Sequence, residues 1–576
     1  MIPMSTKACR ACVDPIAASR AASAVTEAQM TMGICGGLCM HGLRVIAIIG
    51  VWCFGFGVGD GRAIVQPAAL EKIRHIIVIY QENWSFDGLY GRFPGAEGIA
   101  NAGERIRQIK KDGTPYTTLP QPLDTSKKPP IPDARFPADL PVGPYDIAPY
   151  VPPHQKIGDI VNRALQEKRQ INGGRMDGFV AWSENGGLAL SYYDATNLPV
   201  GRLAQQYTLA DHFFHSAFDG SLINHLWLVC ACTPKWPDAP ASLRIELDAQ
   251  GAVVKDGSVT PDGYVVHTVY PANRPYPLSI KDPAQPMPLL NLPTIGDRLS
   301  EKGISWAWYS GGWNDAAGGH ADALFQFHHQ PFNYFSSYAE ETTARADHLK
   351  DIDDFLTALR AGNLPAVTFV KPIGADNEHP GYSDLSRGQQ YAATLVKAVQ
   401  NSPVWKDSVI IITYDEGGGR WDHVPPPSGD RWGPGVRVPA VIISPYAKRA
   451  FVDHTTYETT SILKLIQAAG TCRHSALETL RPTTYSMPSI SLRTPERVSV
   501  GRMSGIHLGG RHPGGDPGRT GRTEAWLGRL AHQPATWHAF VCSRSGALQV
   551  CRRHISNAST ARPLQKPGPP ASSIGG

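Results

Sequence analysis

The chain has 576 residues, of which 42% are apolar and 18% charged, so it is neither disordered nor fibrous. Its 57 glycines and 49 prolines point to a loop-rich globular protein, and no run of 20 apolar residues is present to build a polytopic membrane protein. The formal charge of +5 is uneven: residues 473–576 hold 13 Arg and 1 Lys against 4 acids, a net of +10, which leaves −5 on the first 472 and gives that body no electrostatic reason to bind nucleic acid.

Residues 1–39 are polar and Ala-rich without period, and read as a non-native or disordered extension. Residues 40–63 read as a secretory signal: Met40-His-Gly-Leu-Arg44, the apolar run Val45 to Val58, then Gly59-Asp-Gly-Arg-Ala63. That core is short for a bilayer span, so no stable membrane span is expected after removal, and a periplasmic or secreted protein follows. The glycines at 55, 57, 59 and 61 fail the G-x-G-x-x-G spacing of a dinucleotide loop, since position 60 is Asp.

Residues 70–470 alternate two signals. Apolar, β-branched runs at Ile73–Tyr80, Ile304–Tyr309, Ala366–Val370, Val409–Tyr414 and Val438–Ser444 predict buried strands. Amphipathic stretches at Gly201–Tyr207, Asp351–Ala361, Gly388–Gln400 and Thr456–Ala468 predict helices. The alternation predicts an α/β fold, a mostly parallel central sheet with helices on both faces, and long loop excursions at 114–154 and 233–300. Cys230 and Cys232 are poorly spaced to bridge each other and read as two ordinary structural cysteines. The Arg-rich segment 473–576 reads as disordered or as a shifted reading frame, with a nucleic-acid arm as its functional alternative.

Ligand sites in open α/β sheets gather at the carboxyl ends of the strands. Gln81-Glu82-Asn83 follows the first run, and Asp415-Glu416-Gly-Gly-Gly follows the fourth. Lys371-Pro and Asp376-Asn-Glu-His-Pro-Gly381 follow the third. Carboxylates converging in a partly buried site repel each other, and a divalent cation with oxygen ligands resolves that repulsion. His379, just past a strand end, is the histidine best placed for chemistry; His328-His329 forms a pair further upstream. Phe218-Asp-Gly-Ser221-Leu-Ile-Asn224-His225 offers a nucleophile. Gly220 would permit a tight turn, Ser221 would open a helix whose N-terminus favours an anion, and Asn224 would follow one turn later. It is not a G-x-S-x-G elbow, and neither a Walker A loop nor an H-E-x-x-H is present.

Together these blocks carry a resemblance. Ile76-Ile-Val-Ile-Tyr-Gln-Glu-Asn-Trp-Ser-Phe-Asp-Gly-Leu-Tyr-Gly91, Phe218–His225, Asp376–Gly381, Thr413–Pro426 and Gly433–Pro445 stand in family order. They are similar to the bacterial phosphoesterase family, which unites acid phosphatases and phosphocholine-preferring phospholipases C on an alkaline-phosphatase-like fold. The resemblance implies that Ser221 is the phosphorylated nucleophile. It implies Glu82, Asn83, Asp415 and Glu416 as ligands of one divalent metal ion, with the Ser221 oxygen completing the shell. It sets Asn83 and Asn224, with His154, His329, His328 and His379, around a phosphate ester substrate; His154 rests on its Pro-Pro-His-Gln context. The leaving alcohol would take its proton from His379 or His329.

Long phospholipases C of the family continue into β-rich domains that this sequence does not show, so hydrolysis of monoesters is the expectation and phospholipase C the alternative. A truncated, inactive phosphoesterase is the non-enzyme alternative. A sulfatase is rejected, because Cys232-Thr-Pro-Lys-Trp236 lacks the required Arg.

Overall fold

The five apolar runs form the middle of an eight-stranded sheet in a computed structural model, which describes residues 70–471 apart from Asp219. The expected extension, signal segment and Arg-rich tail lie outside the described residues. The sheet strands are β1 (His75–Gln81), β2 (Thr208–Ala210), β3 (Trp306–Ser310), β4 (Leu349–Lys350), β5 (Val367–Lys371), β6 (Ser408–Tyr414), β7 (Ala440–Ile443) and β8 (Phe451–Asp453). Their order across the sheet is β4-β3-β5-β1-β6-β7-β2-β8. The five strands from β4 to β6 in that order are mutually parallel, as is the β2–β8 pair. β7 alone runs antiparallel to both neighbours, so the sheet is mostly parallel, as the alternation predicts.

Strands β1 and β6 are buried on both faces, and Ile77, Val78, Ile79, Ile410, Ile411 and Ile412 are fully out of water. Burial on both faces explains why these runs are continuously apolar rather than alternating. The helices used below are α1 (Phe86–Tyr90), α2 (Ala164–Ile171), α3 (Pro199–Gln206), α4 (Ser221–Cys230), α5 (Ile352–Ala361), α6 (Leu385–Gln400) and α7 (Thr460–Thr471). Each predicted helical stretch is present, and the differences lie at the ends. Asp384 caps α6 by accepting from the Arg387 N–H, so the helix begins at Leu385, three residues ahead of the expected start. Pro199 opens α3 at a first-turn position, where its missing donor costs nothing.

Strands β2, β4 and β8 were outside the prediction. They are two or three residues long, too short for periodicity to register. The excursions hold two- and three-residue ladders, such as Leu123–Asp124 with Ile131–Pro132 and Glu246–Leu247 with Val253–Lys255, and the second ends in a capped helix, Ile295–Glu301, that the sequence reading took as loop.

One expectation is corrected: Cys230 and Cys232 form a disulfide. Ala231, the residue after α4, is left-handed (φ 49°, ψ 42°) and turns the chain back on itself. The two Cα atoms come to 5.2 Å, inside the range a disulfide spans.

Candidate active site

Register between β1 and β6 builds the site. Tyr80 pairs with Thr413 and Gln81 with Tyr414, so the next residues on each chain, Glu82 and Asp415, leave the sheet side by side at its carboxyl rim. The Asp415 N–H donates to the Gln81 carbonyl (3.2 Å), and the Glu82 N–H donates to the Asn377 carbonyl (2.9 Å), drawing in the loop after β5. Ser221 opens α4 beside them, and its Oγ donates to Glu82 Oε2 at 3.2 Å. The reason is not the turn expected of Gly220, whose φ of −80° and ψ of −165° any residue adopts. Asn224 fixes the approach to the serine: its Oδ1 accepts from the Ala217 N–H (3.1 Å), and its Nδ2 donates to the Ala217 carbonyl (3.1 Å).

Asn83 sits between the carboxylates in a left-handed backbone, φ 64°. Its side-chain nitrogen donates to Asp415 Oδ1 (3.0 Å) and Glu82 Oε2 (2.9 Å), and its oxygen accepts from His379 Nε2 at 2.9 Å. A half-turn of the amide would add its oxygen to those of Glu82 and Asp415 as a ligand for a cation. Glu416 follows Asp415 on the same loop, and its Oε2 accepts from Asn162 Nδ2 and the Gly418 N–H, both at 2.8 Å.

The charges of this rim are far from balanced by carboxylates alone. Burial, then the Glu82 charge, pushes Asp415 up to about 7. Burial, then Asp415, pushes Glu416 well above the carboxylate range. Burial also opposes ionisation of Glu82, but His329 and Lys371 outweigh it and hold that carboxyl well below its ordinary value. Asp415 Oδ2 has no hydrogen-bond partner among the described residues. Hard oxygen donors from Glu82, Asn83, Asp415 and Ser221, with an orphaned buried carboxylate oxygen, fit a divalent cation.

The predicted histidines divide. His329 Nε2 stands 3.0 Å from Glu82 Oε1, its ring stacked on His225 at 4.9 Å, and burial drives its imidazole down to about 4. His328 is packed edge-on against His329 at 4.4 Å. His379 is half-buried, stacked on Tyr382, and turned towards Asn83. His154 is exposed on the Pro152–Gln155 turn, tethered by the Ser386 N–H to the Pro153 carbonyl, and no contact joins its ring to the others among the described residues.

Three contributors were given no role in the sequence reading, and Asn162 among them was not singled out at all. Lys371 Nζ, fully buried at the end of β5, pairs with Glu82 Oε1. Asn162 holds Glu416. His225 supports the nucleophile's turn, its Nδ1 2.6 Å from the Ser221 carbonyl and 3.8 Å from Asp415 Oδ2. Lys371 had a signal, since a lysine ending a fully apolar parallel strand needs a buried acid. Asn162, in an irregular segment, had none.

The rim thus gathers a serine hydroxyl, carboxylates and imidazoles at the carboxyl end of a mostly parallel sheet. A profile described as the Phosphoesterase family matches residues 73–469, and the chain belongs to that family. It is 25% identical over 450 residues to Phospholipase C B of Mycobacterium tuberculosis (strain ATCC 25618 / H37Rv), covering 70% of this chain and 74% of that one. It is 24% identical over 448 residues to the non-hemolytic phospholipase C of Burkholderia pseudomallei (strain K96243), covering 71% of this chain and 57% of that one. Among solved structures, an alkaline phosphatase superfamily protein from Vibrio parahaemolyticus aligns with a TM-score of 0.28 and 10% identity, covering 56% of this chain and 70% of that one.

Proposed function

We propose that this phosphoric ester hydrolase cleaves phosphodiesters in the manner of a phospholipase C, through a phosphoserine on Ser221. The reading rests on one observation above all, the approach of Ser221 Oγ to Glu82 Oε2 at 3.2 Å within a cage shared with Asn83 and Asp415. Curated relatives bearing the name phospholipase C favour the diester over the monoester expected from sequence.

Glu82, Asn83, Asp415 and Glu416 would hold one divalent cation, which when bound supplies positive charge for the serine oxygen and the phosphoryl group. In the reaction, the Ser221 oxygen forms a bond to phosphorus as the ester oxygen leaves in line, its proton passing to Glu82 Oε2, which accepts its hydrogen bond, and returning to the serine oxygen when water cleaves the phosphoserine. Glu82 orients the hydroxyl; Lys371 holds Glu82 ionised, and His329 Nε2 stands 3.0 Å from its Oε1. His379, the half-buried imidazole at the mouth, gives its proton to the departing alcohol and then takes one from the water that cleaves the phosphoserine. Asn83 donates to the phosphoryl oxygens, while Asn224 keeps the serine's turn in place.

Export agrees with the signal-like residues 40–63 and with the Cys230–Cys232 disulfide, a bond kept in oxidising compartments. No helix among the described residues is long and apolar enough to cross a membrane.

Paired assays on a soluble aryl phosphate and its phosphocholine diester test the substrate class, and faster turnover of the diester is expected. Ser221→Ala should lower turnover of either by several orders of magnitude. Near-normal turnover by that variant would remove the phosphoserine from the mechanism.

A further inference from the structure

Loop 415–439 leads from the catalytic rim to a second cluster that the reaction does not use. His423 lies on this loop and is 1% exposed. Its Nδ1 is 2.6 Å from Asp87 Oδ2, and Asp87 is held in turn by the His423 N–H (2.8 Å) and by Arg437 Nη2 (3.1 Å). This arrangement puts the ring proton on Nδ1 and leaves Nε2 with a free lone pair. That Nε2 is buried, has no hydrogen-bond partner among the described residues, and is turned towards Glu97 Oε1 at 3.9 Å.

The other side of Glu97 repeats the pattern. Asp211, fully buried, has Oδ1 2.9 Å from His212 Nδ1 and Oδ2 2.8 Å from His454 Nδ1. The Glu97 N–H donates to the same Asp211 Oδ2 at 2.8 Å. His212 Nε2 then stands 3.1 Å from Glu97 Oε2. Three imidazoles thus rest their Nδ1 atoms on buried carboxylates, and two of them present Nε2 to the two oxygens of one Glu97 carboxylate. A carboxylate behind each ring and a bare nitrogen in front is how proteins set histidines for a metal. A surface ion pair would account for His212 and Glu97, but not for a buried His423 nitrogen left without a partner.

We propose that Glu97, His212 and His423 bind a second divalent ion of the zinc type, with the more exposed His454 beside it and a water in the remaining position. Mixed imidazole and carboxylate donors suit zinc-like ions better than calcium or magnesium, which separates this site from the all-oxygen rim. Its place in the fold suggests a clasp, since it ties the segment around Glu97 and the end of β2 to the loop that carries Asp415 and Glu416.

The test is zinc content per chain, measured on the full-length protein after stripping with chelator, reloading with zinc and desalting. Wild type should carry one more zinc than either Glu97→Gln or His212→Ala. Cobalt loaded in its place should give wild type a visible ligand-field band that both variants lack and Asp415→Asn retains. Glu97 is 43% exposed and His212 17%, so the folded state tolerates these changes, and either variant decides the matter alone. Equal zinc in wild type and variants, with no loss of the cobalt band, would overturn the site.

Discussion

Glu378 joins a left-handed backbone, φ 76°, to a carboxyl wholly out of water. Its oxygens accept from Gln81 Nε2 (2.9 Å), Gln389 Nε2 (3.0 Å) and the Tyr414 hydroxyl (2.7 Å). Burial still wins over these bonds and pushes the carboxyl up to about 7. A carboxyl whose folded value exceeds its unfolded value stabilises the fold below the unfolded value, and loses that contribution as pH rises through the folded one. Wild type should therefore lose stability between about pH 4.5 and 7 through this group, on the order of 3 kcal/mol. Glu378→Gln should flatten that fall in urea titrations at pH 5 and pH 8. An unchanged fall would assign the pH dependence to another group. The residue earns its place by geometry: Trp84 Nε1 donates to its carbonyl, and its neighbours Asn377 and His379 border the rim.

At the scale of elements, the loop Gly417-Gly418-Gly419 decides whether Asn83 can stand where it does. Gly418 has φ 64°, and a Cβ there would lie 2.4 Å from the Asn83 carbonyl oxygen. Gly418→Ala should thus cost about 1–3 kcal/mol and move Asn83 off the carboxylates, lowering melting temperature and turnover together. Intact turnover in that variant would mean the loop has room the structure denies it. This loop also marks what the sequence conveyed. Long apolar runs declared β1 and β6, and acids placed just past them declared the rim, because strand ends and ligand sites coincide in such sheets. Lys371 stood in view at a strand end, but its pairing with Glu82 lies across 289 positions, and Asn162 was hidden because it meets Glu416 across 254. The Cys230–Cys232 bridge was hidden by one left-handed alanine, a conformation that composition does not announce. His154 lay outside the gathered side chains because its turn, unlike the rim residues, follows no sheet strand.

Across the whole molecule, Arg437 is the tie that spans most sequence. It is fully buried, with Nε on Asp422 Oδ1 (2.8 Å), Nη2 on Asp87 Oδ1 (3.1 Å), and Nη1 on the carbonyls of Glu97 (2.8 Å) and Asp211 (2.9 Å). Burial alone would lower its proton affinity, yet Asp422 and Asp87 raise it above the ordinary guanidinium value. Arg437→Met strands two buried carboxylates, and a loss of roughly 3–5 kcal/mol in unfolding free energy is expected. A loss below about 1 kcal/mol in denaturant titration would show that water reaches these acids.

The reversed direction of β7 has a consequence for how this fold can vary. A parallel successor to β6 would oblige the chain to travel back beneath the sheet before starting again. Because β7 runs the other way, residues 415–439 depart from and return to a single edge. The exposed middle of that span, residues 428–431, is free to serve recognition rather than transit, so a lengthened segment there retunes substrate choice while the buried ties on either side stay unaltered.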